Sequence, residues 1–319
     1  MGRMRTMTEH SRMVRGVICT LLGGCCWGFS GSCGQFLFSR YGVDPAWLTV
    51  MRMVGAGSMV TVYLLLRHRE KIRVLLHEKR DLLTLVVYAL AGLLFSQYTY
   101  LAAIEYTNAG TATVLQYIGP VMLMVLVCLW DRRLPDRREV LSILLVLAGT
   151  FLIATHGDPG SMVISSKGLF WGLLSALSLV FYTLLPKPII PKYGAVMVTG
   201  LGTFVGGVVF LVLYRPWPLL IDLDLPGILA LGGMVICGTL MAHPLYLQGV
   251  NDIGPVKASM LASVEPVAAT VLSVVWLKSD FVFMDFIGFV CIIATVFLLA
   301  KADSEKAPPE SVESAGDTL

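Results

Sequence analysis

Apolar residues fall in ten blocks separated by polar connections: 16–38, 45–66, 82–104, 109–130, 140–155, 168–185, 195–214, 227–249, 255–277 and 281–300. Most are near the ~20 residues a helix needs to cross hydrocarbon. Lipid offers no partner to backbone N–H and C=O groups, so each block is expected as a helix. Strands of an outer-membrane barrel would show shorter segments of alternating hydropathy. The fold expected is therefore an all-α integral membrane protein with ten transmembrane helices.

The pattern repeats. Tyr100 to Pro120 and Tyr246 to Pro266 align without a gap at an offset of 146, with Tyr100/Tyr246, Leu101/Leu247, Ala112/Ala258, Leu115/Leu261 and Pro120/Pro266 identical. The register continues through Trp130/Trp276, Phe151/Phe297, Leu152/Leu298 and Ala154/Ala300. Identities held in one register over this length indicate a duplicated half-chain. The expected organisation is an N-terminal segment (1–15), a first five-helix repeat (16–155), a loop with Gly157, Pro159 and Gly160 (156–167), a second repeat (168–300) and a disordered polar tail (301–319).

Charge orients the blocks. Eighteen Lys and Arg fall in the N-terminus, the even-numbered connections and the tail; the other face holds Arg40, Lys167, Arg215 and Lys278. Arg52 and Lys257 lie near or within apolar blocks. Basic connections stay in the cytoplasm, which puts both termini there. Five blocks per half is an odd number, so the second half must be inverted. Inverted repeats are the architecture of carriers that expose a midplane site alternately to each side.

Polar side chains inside such helices are costly unless they face a partner or a wet cavity. Gln97 pairs with His243 in the repeat, and Tyr100 with Tyr246; within each copy the two lie three positions apart, on one helix face. They are expected to oppose each other as a small-solute site. The alternative is interhelical hydrogen bonding by Gln97 and His243, with the tyrosines in the interface belt. Pro244 is expected to kink its helix and free a carbonyl. Glu265 is the one acid well inside a block, where a carboxylate costs roughly 2.5–3.5 kcal/mol. Its candidate roles are proton coupling and recognition of a cationic amine; a structural role beside Pro266 is the alternative. Its mirror position holds Gly119, and Gln116 and Tyr117 lie near that point. Arg52 is a candidate gate or anion contact, or a snorkelling side chain. Trp27 and Trp171 are candidates for stacking on substrate, against a role as interface anchors.

The Trp27-Gly28 and Trp171-Gly172 pairs, Arg52, the Ala112…Leu115…Pro120 pattern and Glu265-Pro266 make the chain resemble the EamA-type branch of the drug/metabolite transporter superfamily. The resemblance covers about residues 16 to 300. It departs where helices four and nine usually end in Gly-Glu: here Trp130-Asp131 and Trp276-Leu277-Lys278 stand instead. It implies a ten-helix secondary transporter of the cytoplasmic membrane that moves an amino acid or related metabolite, with export favoured. Carriers of carboxylates or cationic drugs are the alternatives, followed by a membrane-embedded enzyme or receptor. Proton coupling and a homodimer stay open.

Composition adds exclusions. The chain is 56% hydrophobic and 14% charged, against roughly 25% charged for soluble domains. No basic run interleaved with aromatics marks a nucleic-acid groove. Seven cysteines sit in apolar blocks without metal-ligand spacing, and read as small packing residues. No nucleophile–base set and no phosphate-cradling loop is visible, so no enzyme activity, cofactor or metal is expected.

Overall fold

The computed structural model describes residues 9–130, 132–158, 163–215, 221–253, 258, 261–262 and 264–306. The first eight residues, part of the inter-repeat loop, most of the start of the ninth block including Pro255 and Lys257, and the tail from 307 lie outside them.

Local chemistry starts the helices where the pattern places them. Helix α1 spans Glu9–Tyr41. In α2 (Pro45–Arg67), Asp44 caps the amides of Ala46 and Trp47, and Pro45 sets the first turn. The connection after α2, expected as a basic loop, forms a short helix, α3 (Arg69–His77), with Ile72 and Leu75 buried. Block three is α4 (Lys79–Val87), a π-helical segment (Tyr88–Leu94) and α5 (Phe95–Tyr106). Block four breaks into α6 (Ala109–Gln116) and α7 (Gly119–Trp130). Pro120 has no N–H to donate to the carbonyl of Gln116, so the ladder opens there. Asp136 and Glu139 form a reciprocal capping box that opens α8 (Arg137–Thr155).

The second half follows the same plan. It comprises α9 (Ser166–Leu184), the single turn α10 (Ile190–Tyr193) and α11 (Ala195–Tyr214). Next come α12 (Leu225–Val235), a second π-helical segment (Ile236–Met241) and α13 (Ala242–Ile253). The chain ends in α14 (Val264–Val275) and α15 (Phe283–Lys306). The last helix thus runs six residues past the boundary expected at Ala300. Among the described residues, eight helices are long and apolar enough to cross a membrane. Two shorter apolar helices, Val264–Val275 and Phe283–Thr295, take the ninth and tenth places.

Packing is mirrored between the halves. Helix α1 lies on α13 and α14, and its counterpart α9 lies on α5, α6 and α7. The pairs α2–α11 and α8–α15 each join equivalent helices. Close approach depends on glycine: a Cβ on Gly28 would sit 2.8 Å from the Glu265 carbonyl and the Ala269 nitrogen, and one on Gly172 would sit 2.5 Å from Leu115. The two π-helical segments also correspond. Adding the offset of 146 to residues 88–94 gives 234–240, beside the observed 236–241. In the second copy Pro244 cannot donate to the carbonyl of Leu240, which accounts for the slipped ladder. Tyr98 stands at that position in the first copy, so proline does not explain the segment there.

Candidate functional site

A cavity of about 530 Å³ opens between the halves, walled by α2, the break between α6 and α7, and helices α9, α11 and α13 with the segment around Glu265. Six sequence candidates line it: Trp27, Gln116, Tyr117, His243, Tyr246 and Glu265. Its lower wall comes from Leu123, Pro186, Ile190 and Ala195, next to the basic connections.

The polar groups are held by neighbours from both repeats. The Tyr117 hydroxyl lies 3.1 Å from the Ala262 carbonyl and 3.4 Å from Glu265 Oε2. Gln116 Nε2 donates to Ser175 Oγ at 2.9 Å. His243 Nδ1 is 3.0 Å from the Thr239 carbonyl, one turn back in the π-helical segment. The Trp27 ring packs edge-on to His243 with centroids 5.4 Å apart, and leans on Tyr246 at 5.3 Å.

The asymmetric position has a steric reason. Gly119 faces the cavity, but a Cβ there would meet the Ala176 carbonyl at 2.8 Å and Leu179 at 2.9 Å. The first copy has no room for the carboxylate that the second presents.

The other four candidates sit elsewhere. Tyr100 is buried, and its hydroxyl is 2.7 Å from Thr113 Oγ1. Trp171 packs edge-on against Tyr98 and belongs with Tyr100 and Leu101 to the apolar cluster on the far side of the cavity from the basic connections. Gln97 is half-buried on α5, outside the lining. Arg52 is only 5% exposed and so does not snorkel. Its guanidinium lies 3.3 Å from Thr239 Oγ1 and 3.5 Å from the Gly238 carbonyl, both in the π-helical segment. Of the mirrored pair, His243 and Tyr246 of the second copy line the cavity, whereas Gln97 and Tyr100 of the first lie outside it.

Sequence reasoning missed several groups. Tyr88, Tyr182, Thr199, Thr203 and Thr239 line the cavity without a mirrored identity to mark them. Gln35 was also missed. Its Oε1 accepts from the Ala109 amide and from Ser273 Oγ, each at 2.9 Å, and its Nε2 donates to Ser279 Oγ at 2.7 Å. The Gly110 amide adds a bond to Ser273 Oγ at 3.3 Å. This clasp joins α1, the start of α6 and the end of α14 on the side away from the basic connections.

Comparison with known proteins agrees in kind. A family model described as the EamA-like transporter family matches residues 14–155 and 166–301. An uncharacterized inner membrane transporter of Salmonella typhimurium, YicL, is 34% identical, the alignment covering 92% of this chain and 97% of that one. An uncharacterized transporter of Bacillus subtilis, YetK, is 26% identical over 74% of this chain and 73% of its own. A crystal structure of a protein superposes with a TM-score of 0.58 at 15% identity, covering 94% of this chain and 99% of that one, a likeness of fold.

Proposed function

Since the chain belongs to the EamA-like transporter family, we propose that it is a secondary active transporter exporting an amino acid or related small metabolite across the inner membrane. The halves 16–155 and 168–300 rock about the cavity, with both termini in the cytoplasm. The observation that carries this reading is the one-sided cavity itself. His243 and Tyr246 line it, while Gln97 and Tyr100, their partners in the repeat, do not; likewise Trp27 lines it and Trp171, of the matching Trp-Gly pair, does not. Two equivalent motifs in two different environments are what a carrier needs if each side opens in turn. In this reading the state is inward-facing, since lining residues such as Pro186 and Ile190 flank a basic connection that the charge pattern assigns to the cytoplasm.

Glu265 is the coupling residue in this reading. A carboxylate at this depth is held by one long hydrogen bond from Tyr117, so proton binding and release there changes the energy of the cavity. The test is flux. Liposomes containing the protein, loaded with the twenty common amino acids, should release at least one of them when a pH gradient is imposed. Glu265→Gln should lose the response to the gradient. Release equal to that from protein-free liposomes would overturn the reading.

A further inference from the structure

We infer that the cavity is built to take a solute through an ammonium group beside an aromatic or apolar body, and that it discriminates against acids that lack an ammonium group. This rests on the carrier reading and narrows it to a substrate class.

The observation is where the hydrogens of the cavity walls go. A carbonyl oxygen only accepts, so the contact to Thr239 places the hydrogen on His243 Nδ1. In the neutral ring, Nε2 is left as an acceptor. Gln116 uses its amide nitrogen on Ser175 and keeps its carbonyl oxygen. The Tyr117 hydroxyl has two acceptors in reach, the Ala262 carbonyl and Glu265, so its one hydrogen is committed. The hydroxyls of Thr183 and Thr203 donate to the helix carbonyls of Leu179 and Thr199, at 2.7 and 2.8 Å. Apart from the second amide hydrogen of Gln116, what these residues offer a ligand is lone pairs, and Glu265 adds a carboxylate.

Charge points the same way. Among the described lining residues Glu265 is the one Asp or Glu, and none is Lys or Arg. Arg52 is engaged with Gly238 and Thr239 and does not line the cavity. The donors left over, such as the Trp27 indole N–H and the Tyr246 hydroxyl, are neutral. A ligand whose only charge is a carboxylate would face Glu265; among the described residues the one cation in electrostatic reach of that residue, Arg52, lies behind the wall and is bonded to Gly238 and Thr239. An ammonium group brings the donors that the acceptors lack, and the aromatic residues Trp27, Tyr88, Tyr117, Tyr182 and Tyr246 line the cavity, the residue type whose rings attract a cation.

Three probes that share one phenyl ring separate these contributions: phenethylamine, its N,N,N-trimethyl derivative and 3-phenylpropionate. They should be titrated into the full-length protein in lipid nanodiscs at pH 7.5. Phenethylamine should bind at least tenfold tighter than 3-phenylpropionate, with the trimethyl derivative, charged but without N–H donors, between them. Glu265→Gln should remove most of the preference for the amine, and Gln116→Leu should weaken phenethylamine more than the trimethyl derivative; an unchanged melting temperature establishes that each variant is folded. Equal or tighter binding of 3-phenylpropionate overturns the inference, as does no amine binding at millimolar concentration. Transport of 3-phenylpropionate in liposomes would defeat the inference and leave the carrier reading standing. Tight amine binding without any flux would do the reverse.

Discussion

Tyr117, at the helix break of the first repeat, points its hydroxyl at Glu265 Oε2 across the boundary between the halves, 3.4 Å away. The pair links the two elements that carry the mirrored prolines, Pro120 and Pro266. A hydrogen bond to a charged group contributes about 1.5–3 kcal/mol when well formed, and this one is long. Tyr117→Phe should therefore cost about 1 kcal/mol, roughly fivefold in phenethylamine affinity, with little loss of folding stability. Isothermal titration reads the difference; identical affinities would detach Tyr117 from the site.

The mirrored pair should respond to sidedness. His243 lines the cavity, so on the proposed orientation His243→Ala should weaken solute binding from the cytoplasmic face. Gln97→Ala should leave that affinity unchanged and weaken binding from the outer face. Competition assays in inside-out and right-side-out vesicles distinguish the two. Equal effects of Gln97→Ala on both faces would contradict the exchange of roles.

The clasp at Gln35 should hold the outer side closed. Cys33, two residues before it on α1, is fully buried. With Cys33 kept as the sole cysteine, Gln35→Leu should raise its labelling by an impermeant maleimide several-fold in right-side-out vesicles. An unchanged rate would show that the seal lies elsewhere.

Glycine packing gives a matched pair of stability predictions. A Cβ at Gly28 meets backbone atoms of α14 at 2.8 Å, whereas one at Gly232 meets nothing within 4 Å. Gly28→Ala should cost about 1–3 kcal/mol through overpacking. Gly232→Ala should be neutral or gain up to about 1 kcal/mol of helix propensity. Melting temperatures in one detergent test both.

Acid should act at the end of α13. Asp252 receives two bonds of 2.8 Å from Arg15 and one of 3.0 Å from Gln248, which hold its carboxyl well below the usual range. A carboxylate with a depressed folded value stabilises above its unfolded value, near 3.9, and loses that contribution as pH falls through the folded value. Asp252→Asn should thus lower the melting temperature at pH 7, and the gap from wild type should close only below about pH 4. A gap that closes between pH 7 and 5 would assign the effect to another group.

The helices and their order were legible because apolar length is a local property, and the capping residues the structure shows are local too. Asp44, Asn108, Asp136, Ser165 and Asp224 each cap the helix they precede. The repeat was legible because its identities kept one register. One-sidedness was not, since a sequence alignment treats Tyr100 and Tyr246 alike while a single conformation cannot. The depth and partners of Arg52 were hidden for another reason. They depend on a slipped hydrogen-bond ladder around Gly238, and that slip leaves no trace in hydropathy. Gln35 was passed over because its partners, Ser273 and Ser279, are some 240 residues away and lie in another helix and its exit.

The crossed packing also sets a timetable. Helix α1 leaves the ribosome first, yet Gly28 closes on Ala268 and Ala269, 240 residues later in the chain. At translation rates of about 5–20 residues per second, the first helix spends roughly 12–48 s in the bilayer before its partners exist. During that wait its glycine face and the hydroxyl of Ser30, which later bonds the Met234 carbonyl, are open to any neighbouring helix. Early biosynthesis, rather than the finished protein, is where this chain is most vulnerable to mispairing and proteolysis.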